Sequence, residues 1–135
     1  MAGLQWDVRF DLGVEDMNQE HRDLIEKMNK VESLAERRAG KATVGFAIQD
    51  LARTTVEHFQ SEEAYMASIA FPGLETHKVV HQTLLEKFGR HVEAFEQGDG
   101  ALPDGFIGFL QFWLRAHICG VDKKYADHAR AQHAA

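Results

Sequence analysis

Four stretches of this chain repeat apolar residues at three-to-four spacing, which limits it to amphipathic helices packed against one another. The first carries Leu24, Ile25, Met28, Val31 and Leu34, and the second Val44, Ile48, Leu51 and Tyr65. The third carries Leu74, Leu84, Phe88 and Phe95, and the fourth Phe106, Phe109, Leu110 and Trp113. Chain breakers separate them. Gly40 in "RRAGK" is expected to cap the first helix, "FPG" to break the second, and "QGDGALPDG" to form the loop before the fourth, which Pro103 opens as a first-turn residue. The expected helices cover about 18–38, 42–68, 74–97 and 103–130, after an arm to about residue 17, with Asp16 or Asn18 as the first N-cap. Short connections make successive helices antiparallel. The expected fold is therefore all-α, an up-down-up-down four-helix bundle with an extended N-terminal arm, one domain over residues 1–135.

Bulk properties exclude several function classes. Apolar residues at 44% and charged residues at 27% suit a packed core and not a disordered chain. The formal charge is −6 with basic residues scattered, so no footprint for nucleic acid is present. The apolar run "FIGFLQFWL" is less than half of the ~20 residues that cross a bilayer, so no membrane span is expected. The single Cys119 closes no intrachain bridge, and "MAGLQWDVRFD" lacks the basic-then-apolar layout of a signal peptide. Those features predict a cytoplasmic protein in which Cys119 fills a small buried apolar role.

The apolar stripes are interrupted by side chains that bind metals. His21 lies on the first stripe, His58 and Glu62 on the second, His77 and His81 on the third, and His117 on the fourth. A buried ionisable group is costly unless it is paired or bound to a metal. Taken singly, His21 or His117 is more often a hydrogen-bonded core histidine than a ligand, and His58 with Glu62 reads equally well as an ordinary one-turn pair. His77 with His81 is harder to explain that way, because two neutral imidazoles in a dry core offer each other little. Residues four apart differ by about 400° of rotation, so both members of a pair face one centre. Antiparallel packing brings the start of the first helix level with the end of the second, and the start of the third level with the end of the fourth. All these side chains then meet at one end of the bundle. His91 lies ten residues past His81, ~15 Å along the axis, too far to join them. A structural or partly exposed role is expected for it, and a solvated one for His128 and His133.

Asp122 follows His117 by five residues, which leaves the two about 140° apart on a regular helix. An exposed Asp122 is the default for a straight helix. For it to face the centre, "HICGVD" must contain a one-residue π-bulge or a local break, with Gly120 supplying flexibility. Mixed imidazole and carboxylate ligands suit iron, manganese or zinc, and five histidines with two carboxylates exceed what one ion needs.

In chain order, His21, His58-x-x-x-Glu62, His77-x-x-x-His81 and His117-x-x-x-x-Asp122 resemble the complete ligand pattern of the hemerythrins, in particular their single-domain bacterial members. The resemblance extends to the arm with Trp6, to "HRDLIEKMN" with Asn29, and to "HICGVDKKY" ending in Tyr125. Asn18 departs from it, since the family commonly has Asp three residues before its first His. The resemblance implies reversible O2 binding at a non-haem di-iron centre, for oxygen storage, transport or delivery. One iron would take His77, His81 and His117, and the other His21 and His58. Glu62, Asp122 and a hydroxide or oxo group would bridge them. That count leaves the second iron one donor short, where O2 binds.

A centre of this kind needs apolar walls to keep water and protons from bound oxygen. Leu114, Phe59, Ile118, Trp113 and Leu24 are expected to supply them, with Leu114 beside the oxygen path. Rival readings are an oxygen or redox sensor acting through a partner chain, and a di-iron peroxidase or nitric oxide-handling enzyme. A ferritin-like oxidase would carry Glu-x-x-His pairs, and a zinc hydrolase His-Glu-x-x-His; the first is absent and "HKVVH" has Lys78 in place of the Glu. A monomer that is not an enzyme is expected, handing O2 to an oxygen-consuming acceptor protein.

Overall fold

The structure, a computed structural model, describes residues 3–134, with the side chains of the last two, His133 and Ala134, outside that description. A short 3-10 turn at Val8–Phe10 precedes helix α1 (Glu15–Glu36), α2 (Lys41–Ser68), α3 (Leu74–Gln97) and α4 (Phe106–Ala116). A π-helical segment at His117–Asp122 joins α4 to α5 (Lys123–Ala134) with helical backbone on both sides. No strand occurs among the described residues. The bundle is the all-α, four-rod architecture expected from the periodicity, α4 and α5 forming the fourth rod. Among the described residues no helix is long and apolar enough to cross a membrane.

Side-chain pairings give the helix directions. Glu20 of α1 meets His58 of α2 at 2.7 Å, and Lys27, farther along α1, reaches Thr54, earlier in α2, at 2.7 Å. Lys41 at the start of α2 donates to the Glu96 carbonyl at the end of α3 at 2.6 Å, while Glu63 bonds His81 nearer that helix's start. His91 stacks on Phe106 and Phe109, whereas His77 faces His117. Each neighbour therefore runs antiparallel to the last, as short connections require. The core between the rods contains Leu24, Met28 and Val31 of α1, Val44, Ile48 and Leu51 of α2, Phe88 and Phe95 of α3, and Phe106, Leu110 and Leu114 of α4, all buried.

The arm is fastened by amides. Asn29 accepts from the Leu4 N–H at 2.9 Å and donates to the Leu4 carbonyl at 2.8 Å, so one side chain completes both backbone groups of that residue. Trp6 packs edge-on against Phe10 and lies under the Arg22 guanidinium, 4.2 Å from the ring centre. Arg130 donates to the Leu12 carbonyl at 2.9 Å and ties the arm to α5.

Three helix ends differ from expectation. Helix α1 begins at Glu15 with Val14 at its N-cap, so neither Asp16 nor Asn18 caps it. Asn18 is buried and turned back to the arm, accepting from the Leu12 N–H at 3.0 Å and donating to Asp11 at 2.8 Å. The left-handed residue that ends α1 is Arg38 (φ 54°), after which the Ala39 N–H bonds the Leu34 carbonyl at 3.0 Å. Gly40 (φ 106°) instead starts α2, its carbonyl accepting from Val44 at 3.0 Å. Pro103 lies in a turn closed by Phe106 N–H to the Pro103 carbonyl at 3.1 Å, and left-handed Gly105 (φ 81°) sets the start of α4 three residues later than expected.

Candidate metal centre

The π segment resolves the Asp122 problem. One extra residue in the turn adds about 100° to be absorbed, and within His117–Asp122 both terminal side chains are buried and face each other. Asp122 Oδ1 lies 2.9 Å from His117 Nε2. All seven expected side chains are thereby brought together. They form two groups whose donor atoms lie within 4.8 Å of one another: Glu62, His77, His81, His117 and Asp122 in one, His21, His58, Glu62 and Asp122 in the other. Only the two carboxylates belong to both.

Each carboxylate divides its oxygens between the groups. Asp122 Oδ1 lies 3.0 Å from His77 Nε2, and Oδ2 lies 3.1 Å from His21 Nε2. Glu62 Oε1 lies 3.1 Å from His81 Nε2, and Oε2 lies 3.3 Å from His21 Nε2 and 3.4 Å from His58 Nε2. Despite these short separations, both Asp122 oxygens and both His21 ring nitrogens are buried without a hydrogen bond. The atoms are close but not aligned for proton sharing, and so many orphaned polar atoms in one core would be costly without a ligand. His117 Nε2 is 3.3 Å from His77 Nε2 and 3.2 Å from His81 Nε2. Nitrogens bound at ~2.1 Å and at right angles around one ion would be about 3.0 Å apart. The donor set therefore fits metal ions, and its geometry asks for two.

Outer partners aim two of the imidazoles. His58 Nδ1 is 2.7 Å from Glu20 Oε1, whose other oxygen accepts from Ser61 at 2.8 Å. His81 Nδ1 is 2.9 Å from Glu63 Oε2. A carboxylate on Nδ1 fixes the proton there and leaves the Nε2 lone pair facing the centre. Tyr125, fully buried, donates to Glu62 Oε2 at 2.7 Å. Glu20, Ser61 and Glu63 are participants not expected from the sequence. Their only signal was adjacency: Glu20 precedes His21, and Ser61 and Glu63 flank Glu62, so each points sideways from an inward residue toward the neighbouring rod.

In the absence of metal, protons balance the charge. Burial pulls the His58 pKa down, but Glu62, Glu20 and Asp122 outweigh it and raise it to about 10. Burial likewise opposes the His117 imidazolium, yet Asp122 and Glu62 raise it to about 9, and His21 rises for the same kind of reason, with Asp122 foremost. Burial pushes the Glu62 carboxyl up, and His58, His117 and His21 hold it well below the usual range. Asp122, opposed by burial and by Glu62, is still held at about 2 by His117 and His21. Burial and the two carboxylates push the Tyr125 hydroxyl up, so it stays a neutral donor.

The apolar residues expected around the centre, Leu24, Phe59, Trp113, Leu114 and Ile118, are all buried. Phe59 stacks on His81 with ring centres 3.8 Å apart, and Trp113 meets both Phe59 and His117 edge-on. His91 is half-buried between aromatic rings, away from the centre. His128 differs from the solvated role expected of it: it is half-buried, 3.0 Å from the Ile69 carbonyl and edge-on to Phe71, and so docks α5 on the α2–α3 turn. The expectation for the His133 side chain falls outside the described residues. Cys119 is half-buried, not buried, with Sγ 3.8 Å from the Arg9 carbonyl.

Four rods that converge histidines and shared carboxylates at one end define a metal-binding helical bundle. Comparison with known proteins makes this specific: the model of the hemerythrin HHE cation binding domain matches residues 12–129, and the chain belongs to the hemerythrin family. It is 31% identical over 131 residues to a bacteriohemerythrin of Stenotrophomonas maltophilia, covering 97% of this chain and 84% of that one. It is 33% identical over 120 residues to a myohemerythrin of Riftia pachyptila, covering 89% and 88%. Among solved structures, the crystal structure of a hemerythrin carrying a leucine-to-alanine substitution superposes with a TM-score of 0.85 at 25% identity, covering 95% of this chain and 98% of that one.

Proposed function

We propose that this chain binds O2 reversibly at a non-haem di-iron centre and serves as an oxygen carrier for storage, transport or delivery, not as an enzyme. The observation that carries the reading is the division of the Glu62 and Asp122 oxygens between two histidine groups, which suits a bridged pair of ions and no single one. His77, His81 and His117 would hold one iron and His21 and His58 the other, with Glu62 and Asp122 serving both sides. The bound iron pair supplies two electrons that can be lent to O2 and recovered. With two histidines against three, the His21 and His58 side is the one that would take up O2.

The remaining side chains protect that exchange. Glu20 and Glu63 hold His58 and His81 in the tautomer that presents Nε2, and Tyr125 occupies a lone pair of Glu62 that would otherwise attract water. Leu24, Phe59, Trp113, Leu114 and Ile118 exclude solvent, and with it the protons that would drive off reduced oxygen species. The bundle acts as a monomer in the cytoplasm, where free Cys119 stays reduced, and hands O2 to an oxygen-consuming acceptor protein.

The direct test follows the optical spectrum of reduced, iron-loaded protein through repeated oxygenation and degassing. A carrier returns to its starting spectrum in each cycle. Oxidation after one exposure, with no recovery on degassing, overturns the reading. Leu114, buried one turn before His117, borders the oxygen path. Leu114→Ala is expected to speed ligand access and autoxidation by on the order of tenfold, equivalent to about 1.4 kcal/mol off the barrier. Unchanged stopped-flow rates would remove Leu114 from that role.

A further inference from the structure

Phe112 stands on the outer face of α4 with 74% of its surface exposed, an aromatic ring that joins no core. It forms the ridge between two depressions. The larger, about 600 Å³, is walled by Arg9, Arg115, Cys119 and Lys123. The smaller, about 210 Å³, contains Lys87 and Trp113 and is lined by His117 itself. Among the described residues no carboxylate lines either one. That is unusual on a chain of net charge −6, and the other depressions differ. Those along α1 and α2 carry Asp16, Glu20, Asp23 and Glu57, and the one between α2 and α3 carries Glu93 and Glu96. Arg9 is held by Asp7 at 2.9 Å and Arg115 lies within electrostatic reach of the same carboxylate, whereas Lys87 and Lys123 make no ion pair among the described residues. A second surface depression also touches a ligand of the centre, His58, but there Lys27 and Arg53, both paired with Asp50, stand among Glu20, Asp23 and Glu57, so it presents no uniformly basic face.

We propose that this basic, Phe112-centred face docks an acidic one-electron carrier protein that returns the centre from the ferric to the ferrous state. The inference rests on the di-iron reading above. An oxygen carrier that loses its bound oxygen in reduced form is left ferric and no longer binds O2. This chain has one cysteine, which is free, so no dithiol within it can supply electrons. The reductant is external. Charge complementarity selects an acidic partner and orients it, Phe112 supplies the apolar contact at the middle of the patch, and His117 places a ligand of the centre beneath the contact. In each encounter the carrier's redox group loses one electron and one ferric ion gains it. Two encounters reduce the pair, and the bridging oxide takes one proton from solvent to become hydroxide.

The test uses iron-loaded protein and a small acidic [2Fe–2S] ferredoxin as the probe. Complex formation is followed by calorimetry, and reduction of the ferric centre by stopped flow, across a salt series. Binding that weakens as salt rises is expected. The double variant Arg115→Glu with Lys123→Glu, both exposed positions, should weaken binding and slow reduction by about tenfold or more, as steered encounters do when charge is reversed. Phe112→Ala should weaken binding without changing its salt dependence. Arg37→Glu, at the opposite end of the chain's first rod, should do neither. Salt-independent binding, double-variant binding equal to wild type, or capture by phosphatidylglycerol vesicles or duplex DNA in place of the ferredoxin would overturn the proposal. Each variant is also cycled with O2. Failure of the wild type to cycle defeats the di-iron reading, while failure to dock with cycling intact defeats this one alone.

Discussion

Glu62→Ala empties the centre. Glu62 is shared by both donor groups and is the only glutamate within them, so its loss removes a bridge and a donor from each side at once. Iron content should fall from about two per chain to fewer than one after desalting, because two ions held close together lose half of the protein charge that offsets their repulsion. The fold is affected as well. His21, His58 and His81 keep their buried positions without the carboxylate that faces them, and Tyr125 loses its acceptor. Removing one member of a buried charged pair costs about 3–5 kcal/mol. Glu62→Gln separates the two effects, since it preserves the volume and the Tyr125 acceptor but not the charge. It should lose iron like the alanine variant yet melt closer to metal-free wild type. Metal analysis and circular dichroism melts check both. Two ions retained in Glu62→Ala would remove Glu62 from the centre.

Stripping the metal from the wild type should lower its melting temperature by at least about 12 °C. A ligand present at a thousandfold its dissociation constant stabilises the native state by about 4 kcal/mol. For a chain of 135 residues each kcal/mol moves the midpoint by roughly 3–5 °C. The sign of the pH dependence follows from the histidines. Without metal, His58 and His117 titrate near 10 and 9, above the unfolded value of about 6.5. Their pairing with Glu62 and Asp122 therefore stabilises the metal-free fold fully below about pH 6.5 and is lost as pH rises through 9–10. The carboxylates, held low, contribute above about pH 4 and fail only in acid. Metal needs unprotonated imidazole, so loading at neutral pH expels roughly two protons and tightens as pH rises. Both trends widen the gap between loaded and stripped protein from pH 6 to pH 8. Calorimetric melts of both forms across that window measure it, and a gap that narrows would show that protons and metal do not compete for these rings.

Much of this was legible in the sequence because the informative residues sit on strict helical periods. A histidine or glutamate on an apolar stripe, as at His58 and Glu62, has only one direction to face, and antiparallel packing fixes its level. Even the irregular turn was readable, since a five-residue interval between His117 and Asp122 reaches one centre only through an extra residue. Residues whose roles depend on a neighbouring rod were hidden. Glu20 and Glu63 are half-buried flanking positions with no period to mark them, and they become partners of His58 and His81 only once α1, α2 and α3 pack. Helix ends were lost for a related reason. At Arg38 and Gly105 a single left-handed residue moves a boundary by two or three positions, and Arg gives no sign of that role. His128 looked like a tail residue because nothing local showed that α5 folds back over Ile69 and Phe71.

The measurement that bears most directly on the account is the iron content of anaerobically loaded protein after gel filtration, taken beside the same assay on Asp122→Ala. Two irons per wild-type chain, with loss of at least one in the variant, is the result expected when seven side chains from four rods hold a bridged pair. One iron or none in the wild type, or two retained without Asp122, would contradict it.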